Sequence, residues 1–183
     1  MRHDLRGRTL RRLLWAMLVV LTLAAATGCQ AAEEAPAAAK PTALETTAIR
    51  VGSETFEVEV AADPETRFRG LSGRDRIDPH GGMLFVLPRP QTFHMVMRDC
   101  PNPIDVAFLD AMGRVVAVHE MVPEPPRRSS ETPFGYEQRL PAYGSGAAVQ
   151  FALETAGGRL SELGVKPGDR LHFAAQDWIM RAR

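Results

Sequence analysis

The stretch QTFHMVMRDCPNPIDVAFLD, Gln91 to Asp110, gathers His94, Met95, Met97, Arg98, Asp99, Cys100 and Asp105. Three kinds of chemistry compete for it. Thioether, thiol and imidazole groups from Met95, Met97, Cys100 and the more distant His119 and Met121 would together suit Cu(I). Strand geometry opposes that reading, because successive side chains point to opposite faces. Phe93, Met95 and Met97 then share an apolar face while His94 points away. Met commonly fills irregular core gaps, so the core reading is preferred and no metal or other cofactor is assigned.

A nucleophilic enzyme would instead need Cys100 as a thiolate, or a serine held against a base. Asp99 opposes ionisation of the thiol and Arg98 favours it. Ser72 in GLSGR sits between glycines, but no strand precedes it as a nucleophile elbow requires. Zinc spacings, phosphate loops and paired His/Glu signatures are missing from the sequence, so the balance leans away from an enzyme. The third chemistry is recognition. Asp105 interrupts the apolar run of Ile104 and Val106 to Leu109, and a buried carboxylate is costly without a partner. Arg69, Arg74, Arg98 or the backbone N–H groups of the Cys100–Pro103 turn are the expected partners. A structural role, as an ion pair or a backbone cap, is preferred for Asp105, since ion-pair networks also place carboxylates in cores without any site. The alternative is a ligand cleft formed by Met97, Arg98, Asp99, Cys100, Asp105 and Tyr136, with Phe134 in its wall.

These residues need elements to position them, and period-two patterning dominates. AIRVGSETFEVEVA predicts a hairpin turning at Gly52-Ser53, with Phe56, Val58 and Val60 on the dry face. Asp63 as N-cap, Pro64 at the first helical position and Gly70 as stop predict a short helix. GGMLFVLP predicts a buried strand and TFHMVM another. PIDVAFLDAMGRVVAVHEM predicts a second hairpin, with Asp110 and Gly113 in its turn. Met121 to Gly146 predicts a Pro-rich loop, AAVQFALE a strand, Arg159 to Leu163 a short helix, and GDRLHF a last strand. The expected class is α+β, mainly antiparallel β in a curled sheet or small barrel, with two short helices.

The ordered pieces RGLSGR, GMLFV, MRDCPNPIDVAFLD, AVQFALE and LGVKPGD resemble an uncharacterised family, domain of unknown function 192. Pro103-Ile104-Asp105, Gly82-Met83-Leu84-Phe85 and Gly168-Asp169 carry the resemblance, which spans about Phe56 to Phe173. The family usually has Phe-Trp followed by Met-Lys-Asn-Thr, where this chain has Met95 to Cys100. No Trp is therefore available to stack there. The resemblance implies a small β-rich domain, often secreted, with no assigned reaction.

The N-terminal stretch sets the expected location. Five Arg precede an apolar run from Leu13 to Ala26, shorter than the ~20 residues of a membrane span. With small residues following, this predicts a signal peptide over residues 1–28. Ala26-Thr27-Gly28 before Cys29 resembles a lipobox, which implies acylation of Cys29. Residues 29–47 are Ala-, Glu-, Pro- and Thr-rich and predict a flexible tether, leaving one globular domain over 48–183. Five of 22 basic and one of 22 acidic residues precede Cys29, so 17 and 21 remain, a net of −4. That argues against nucleic acid as a partner, whose binding needs a clustered basic surface. The expectation is a lipoprotein secreted across the inner membrane and anchored in the bacterial envelope, its domain facing the periplasm. Its expected partners are the membrane, through lipid, and an unknown small molecule or envelope protein.

Overall fold

The computed structural model describes residues 43–183. The expected signal peptide, Cys29 and the tether up to Thr42 lie outside the described residues. Strand β1 (Thr46–Val51) pairs antiparallel with β2 (Glu54–Ala61) across the Gly52-Ser53 turn. The pairing buries Phe56, Val58 and Val60 and leaves Glu57 in water, as the alternation predicts. The first strand takes in Thr46 and Thr47 and so begins two residues before the expected boundary at Ala48. Both Thr are β-branched and fit a pleated edge. Helix α1 (Pro64–Arg69) follows, its first turn capped by Asp63, whose carboxylate accepts from the N–H groups of Glu65 and Thr66 at 3.0 Å.

Strand β3 (Met83–Gln91) lies parallel to β2. Gly82 leads into it at φ 146°, so close to β8 that a Cβ there would sit 2.0 Å from the Glu154 carbonyl oxygen. The complete sheet runs β1-β2-β3-β8-β5-β6, with β5 (Ile104–Leu109), β6 (Val115–Met121) and β8 (Val149–Ala156). All of its neighbours except β2 and β3 are antiparallel. The sheet is curled and open. Every residue of β5 is buried, because both faces of the sheet are covered, and this explains its nearly continuous apolar run.

One face packs Val58, Leu84, Val86, Phe151 and Leu153 beneath Leu160 of α3 (Arg159–Glu162) and Trp178 of α4 (Ala175–Arg181). The other packs Met83, Phe85, Leu87, Val106 and Phe108 against Leu71, Met95, Met97 and Cys100. That second face carries the site. It is overlaid by a two-stranded ribbon of β4 (His94–Met95) and β7 (Tyr143–Gly144). TFHMVM therefore forms a strand only at its centre, yet the alternation holds: Met95 and Met97 are buried and His94 is exposed.

Two expectations change in detail. Four helices are present among the described residues, not two: α2 (Pro133–Arg139) rises inside the Pro-rich segment, and α4 follows the last predicted strand. The predicted strand GDRLHF makes only isolated bridges, Arg50 to His172 and Arg114 to Arg170. It spans between the β1 edge and the β5–β6 turn and forms one bridge with each, so no ladder develops.

Candidate functional site

The site is built where three loops meet the second core face. Glu154 lies on β8 between Met83 of β3 and Val106 of β5 in the strand registers. On the same face of β8, two and four residues earlier, are Ala152 and Gln150. Gln150 settles its amide by donating to the Leu87 carbonyl. Glu154 finds no such partner. Its side chain makes no hydrogen bond among the described residues, although the residue is only 4% exposed. No fully sealed side-chain polar atom among those residues lacks a partner, so the carboxyl oxygens must open onto the space above the sheet.

That space is a cavity of about 230 Å³. Phe85, Phe93, Leu71 and Met95 supply apolar wall, Ser72, Cys100, His94 and Glu154 polar lining, and Arg67, Arg69 and Arg98 charge. Burial pushes the Glu154 carboxyl up to about 8. A carboxyl group among apolar neighbours favours its neutral form because ionisation there forgoes hydration. Cys100 is pushed up to about 11, first by burial and then by the nearby Glu154 charge. Its thiol donates to the Arg98 carbonyl at 3.3 Å. The thiol is held protonated.

Arg98 anchors the surrounding loops. Its guanidinium pairs with Glu137 of α2, donates to the Phe68 carbonyl at 2.9 Å, and stacks 4.2 Å from the Phe68 ring centroid. Ser72 Oγ donates to the Arg98 carbonyl at 2.7 Å, and the Gly73 N–H donates to the Asp99 carbonyl at 2.8 Å. Tyr136 Oη accepts from the Asp99 N–H at 3.0 Å and donates to its carboxylate at 3.2 Å. This holds Asp99 at φ 49°, a left-handed conformation that Asp tolerates better than most residues. Asn102 closes the stitching by donating to the Arg74 and Asp75 carbonyls.

Of the six residues expected in a ligand cleft, Arg98 and Cys100 line the cavity. Asp99 and Tyr136 brace its wall from behind, and Met97 is sealed in the core at 1% exposure. Asp105 is placed elsewhere. Its carboxylate accepts from the Gly158 N–H at 2.9 Å and the Leu160 N–H at 2.8 Å, holding the turn into α3. Of the arginines expected to pair with it, Arg74 binds Glu59, Arg69 binds Glu65 and Arg98 binds Glu137. The backbone-capping alternative names the right chemistry and the wrong turn. Phe134 is exposed and is not among the cavity residues.

The soft-ligand set divides similarly. Met95, Met97, Cys100 and Met121 pack in one apolar cluster. His119 lies edge-on to Phe108 and Tyr143, with Nε2 2.8 Å from the Gly144 carbonyl oxygen. Among the described residues no three His, Cys, Asp or Glu side chains converge as a metal-ligand group.

Residues 46–173 match the family model of DUF192, described as uncharacterized ACR. The chain belongs to the DUF192 family. The matched span begins with β1 and ends beside the bridging segment, so this DUF192 domain includes the whole sheet and every cavity residue. No match is found among curated proteins. A crystal structure of a Sinorhizobium meliloti protein, provisionally described as a transcription regulator, is 28% identical. It has a TM-score of 0.62 and aligns over 74% of this chain and 99% of its own. A Novosphingobium aromaticivorans protein of unknown function is 23% identical, with a TM-score of 0.60 over 76% and 94% of the two chains, and shares the fold.

Glu154 is the functional candidate that motif reasoning passes over. Its signal is present in the sequence: AVQFALETA puts a carboxylate directly after Phe151, Ala152 and Leu153, which read as core. A polar residue at a core position is either an error or a device.

Proposed function

We propose that this DUF192 chain is an envelope lipoprotein whose β-rich domain binds a small ligand in the cavity closed below by Glu154. The observation that carries the binding reading is the carboxyl of Glu154, buried, without a hydrogen-bond partner among the described residues, and lining the cavity. Burying such a group is unfavourable unless something bonds it, and a bound ligand is the partner that the protein itself does not provide. At about 230 Å³ the cavity is smaller than the usual drug-sized site, which favours a compact ligand.

The two other classes draw less support. Catalysis by Cys100 needs a thiolate, and burial holds the thiol protonated at neutral pH. Copper capture by Met95, Met97, Cys100 and His119 would draw on that same protonated thiol, and metal ligation needs it deprotonated. The regulator description of the S. meliloti protein finds no support in a mature chain of net charge −4. The envelope part of the proposal rests on the Arg-rich, apolar leader and Cys29. Among the described residues no helix is long and apolar enough to cross a membrane.

Native mass spectrometry of the chain purified from its own cells tests the binding reading. The expected result is a non-covalent adduct of a few hundred daltons on wild type that is lost from Glu154→Gln. An adduct retained equally by that variant places the ligand elsewhere and overturns the reading. Labelled palmitate entering wild type and not Cys29→Ser tests the anchor.

A further inference from the structure

The cavity's polar floor narrows the ligand to one chemical class. Its two ready donors are already engaged: Ser72 Oγ–H and the Cys100 thiol both point to the Arg98 carbonyl. What the floor offers is therefore chiefly acceptor capacity, in the two Glu154 oxygens and the remaining lone pairs of Ser72 Oγ. Around them stand the aromatic rings of Phe85 and Phe93, whose π faces attract cations. A primary ammonium has three donors and no acceptor. On that floor a carbonyl, carboxylate or phosphate would meet only the single O–H of a protonated Glu154, away from the guanidinium groups of the wall. The arginines offer no clear anion seat either. Arg98 is paired with Glu137, Arg67 donates to the Val86 and Arg183 carbonyls, and Arg69 pairs with Glu65.

We infer that the DUF192 cavity takes a compact primary amine with an apolar body, its ammonium seated on the carboxylate of Glu154 and the Ser72 hydroxyl. This rests on the binding reading above and adds the class of ligand to it. Seating the ammonium requires Glu154 to lose its proton, so binding releases H⁺ to solvent. The charged and titratable groups around Glu154 are Cys100 from the 97–103 loop, His94 from β4, Arg67 and Arg69 from α1, and Arg98. Met83 on β3 and Val106 on β5 bring none. All of these groups are shared by wild type and Glu154→Gln, so a difference between the two belongs to Glu154.

The test uses benzylamine against benzyl alcohol, matched in shape and differing in the ammonium. The full chain in detergent is labelled at its Met methyl groups and titrated by NMR. Met95 lines the cavity, while Met112 and Met180 are exposed elsewhere at 58% and 78% and serve as internal controls. Benzylamine is expected to shift Met95 saturably and leave Met112 and Met180 unmoved, with benzyl alcohol at least tenfold weaker. Because the carboxyl is pushed up to about 8, the affinity should rise about tenfold between pH 6 and pH 7 and level off beyond pH 8. Glu154→Gln should remove both the preference and the rise.

Benzyl alcohol binding as tightly as benzylamine, with no pH rise in wild type, overturns the amine class and leaves the binding reading standing. Failure of both probes to move Met95 overturns the two together. The wild-type measurements decide the matter even where the variant folds poorly.

Discussion

The proposed binding turns on Glu154, a buried carboxyl without a hydrogen-bond partner among the described residues. The folded-state value near 8 lies above the ordinary 4.5, so between those limits the native state keeps a proton that the unfolded state gives up. Native stability must therefore fall as pH rises from about 4.5 to about 8, and level off above. Replacing Glu154 by Gln, a shape-matched neutral group, should remove that fall. The variant is expected to match wild type near pH 5 and exceed it by roughly a few kcal/mol at pH 8.5, read from urea unfolding at both pH values. Parallel pH profiles for the two proteins would mean that the carboxyl is solvated after all. The polar residues of the Gln91–Asp110 stretch were open to a site reading from sequence because each is chemically able. Which of them face a cavity depends on contacts across the sheet, which no local pattern records. Cys100 and Arg98 do, Met97 and Asp105 do not.

At the scale of elements, the local rules were legible wherever a partner lay nearby in sequence. Asp63, Pro64 and Gly70 delimit α1 because cap, first turn and stop fall within eight residues. Both hairpins follow from alternation and turn residues. The failures come from long-range pairing and from weak local signals. Helix α2 is capped by Thr132, whose hydroxyl accepts from the Gly135 N–H at 3.0 Å, but Gly135 inside it and the prolines before it make it read as loop. The partner of Asp105 was beyond reach for the same reason: Gly158 and Leu160 are more than fifty residues away. That contact carries an expected cost. Asp105→Ala strands one buried and one part-buried N–H donor at the start of α3, and should destabilise the domain by about 2 kcal/mol or more. Asp105→Asn keeps one acceptor and should cost roughly half as much, both read by denaturant unfolding. An Ala variant within 0.5 kcal/mol of wild type would show that water replaces the carboxylate there.

The whole molecule places one described domain behind a segment expected to be a lipidated tether. The domain's hold on its N-terminal side is local and testable. Leu44 packs against the core beside β1, the Glu45 carbonyl accepts from the Val60 N–H at 2.8 Å, and Thr47 Oγ accepts from Trp178 Nε1 at 3.1 Å. Starting the chain at Ala43 should leave the unfolding midpoint unchanged to within about 1 °C. Starting it at Ala48 strips those contacts and the first two residues of β1, and should lower the midpoint by at least about 5 °C. Equal midpoints would return the boundary to Ala48. The fold class was readable because apolar periodicity survives without knowledge of topology. The parallel β2–β3 step and the order β3-β8-β5 were not, since registers between distant strands leave no mark on either strand alone.

The central claim is that Glu154 is a buried, unpartnered carboxyl facing a ligand cavity, and its own titration tests that most directly. Carboxyl carbon NMR on Glu-labelled chain, with the Glu154 signal assigned by its loss in Glu154→Gln, follows the proton itself. The account predicts a midpoint near 8 in the free protein, moving downward when benzylamine is added. A midpoint near 4.5, unmoved by the amine, would contradict it.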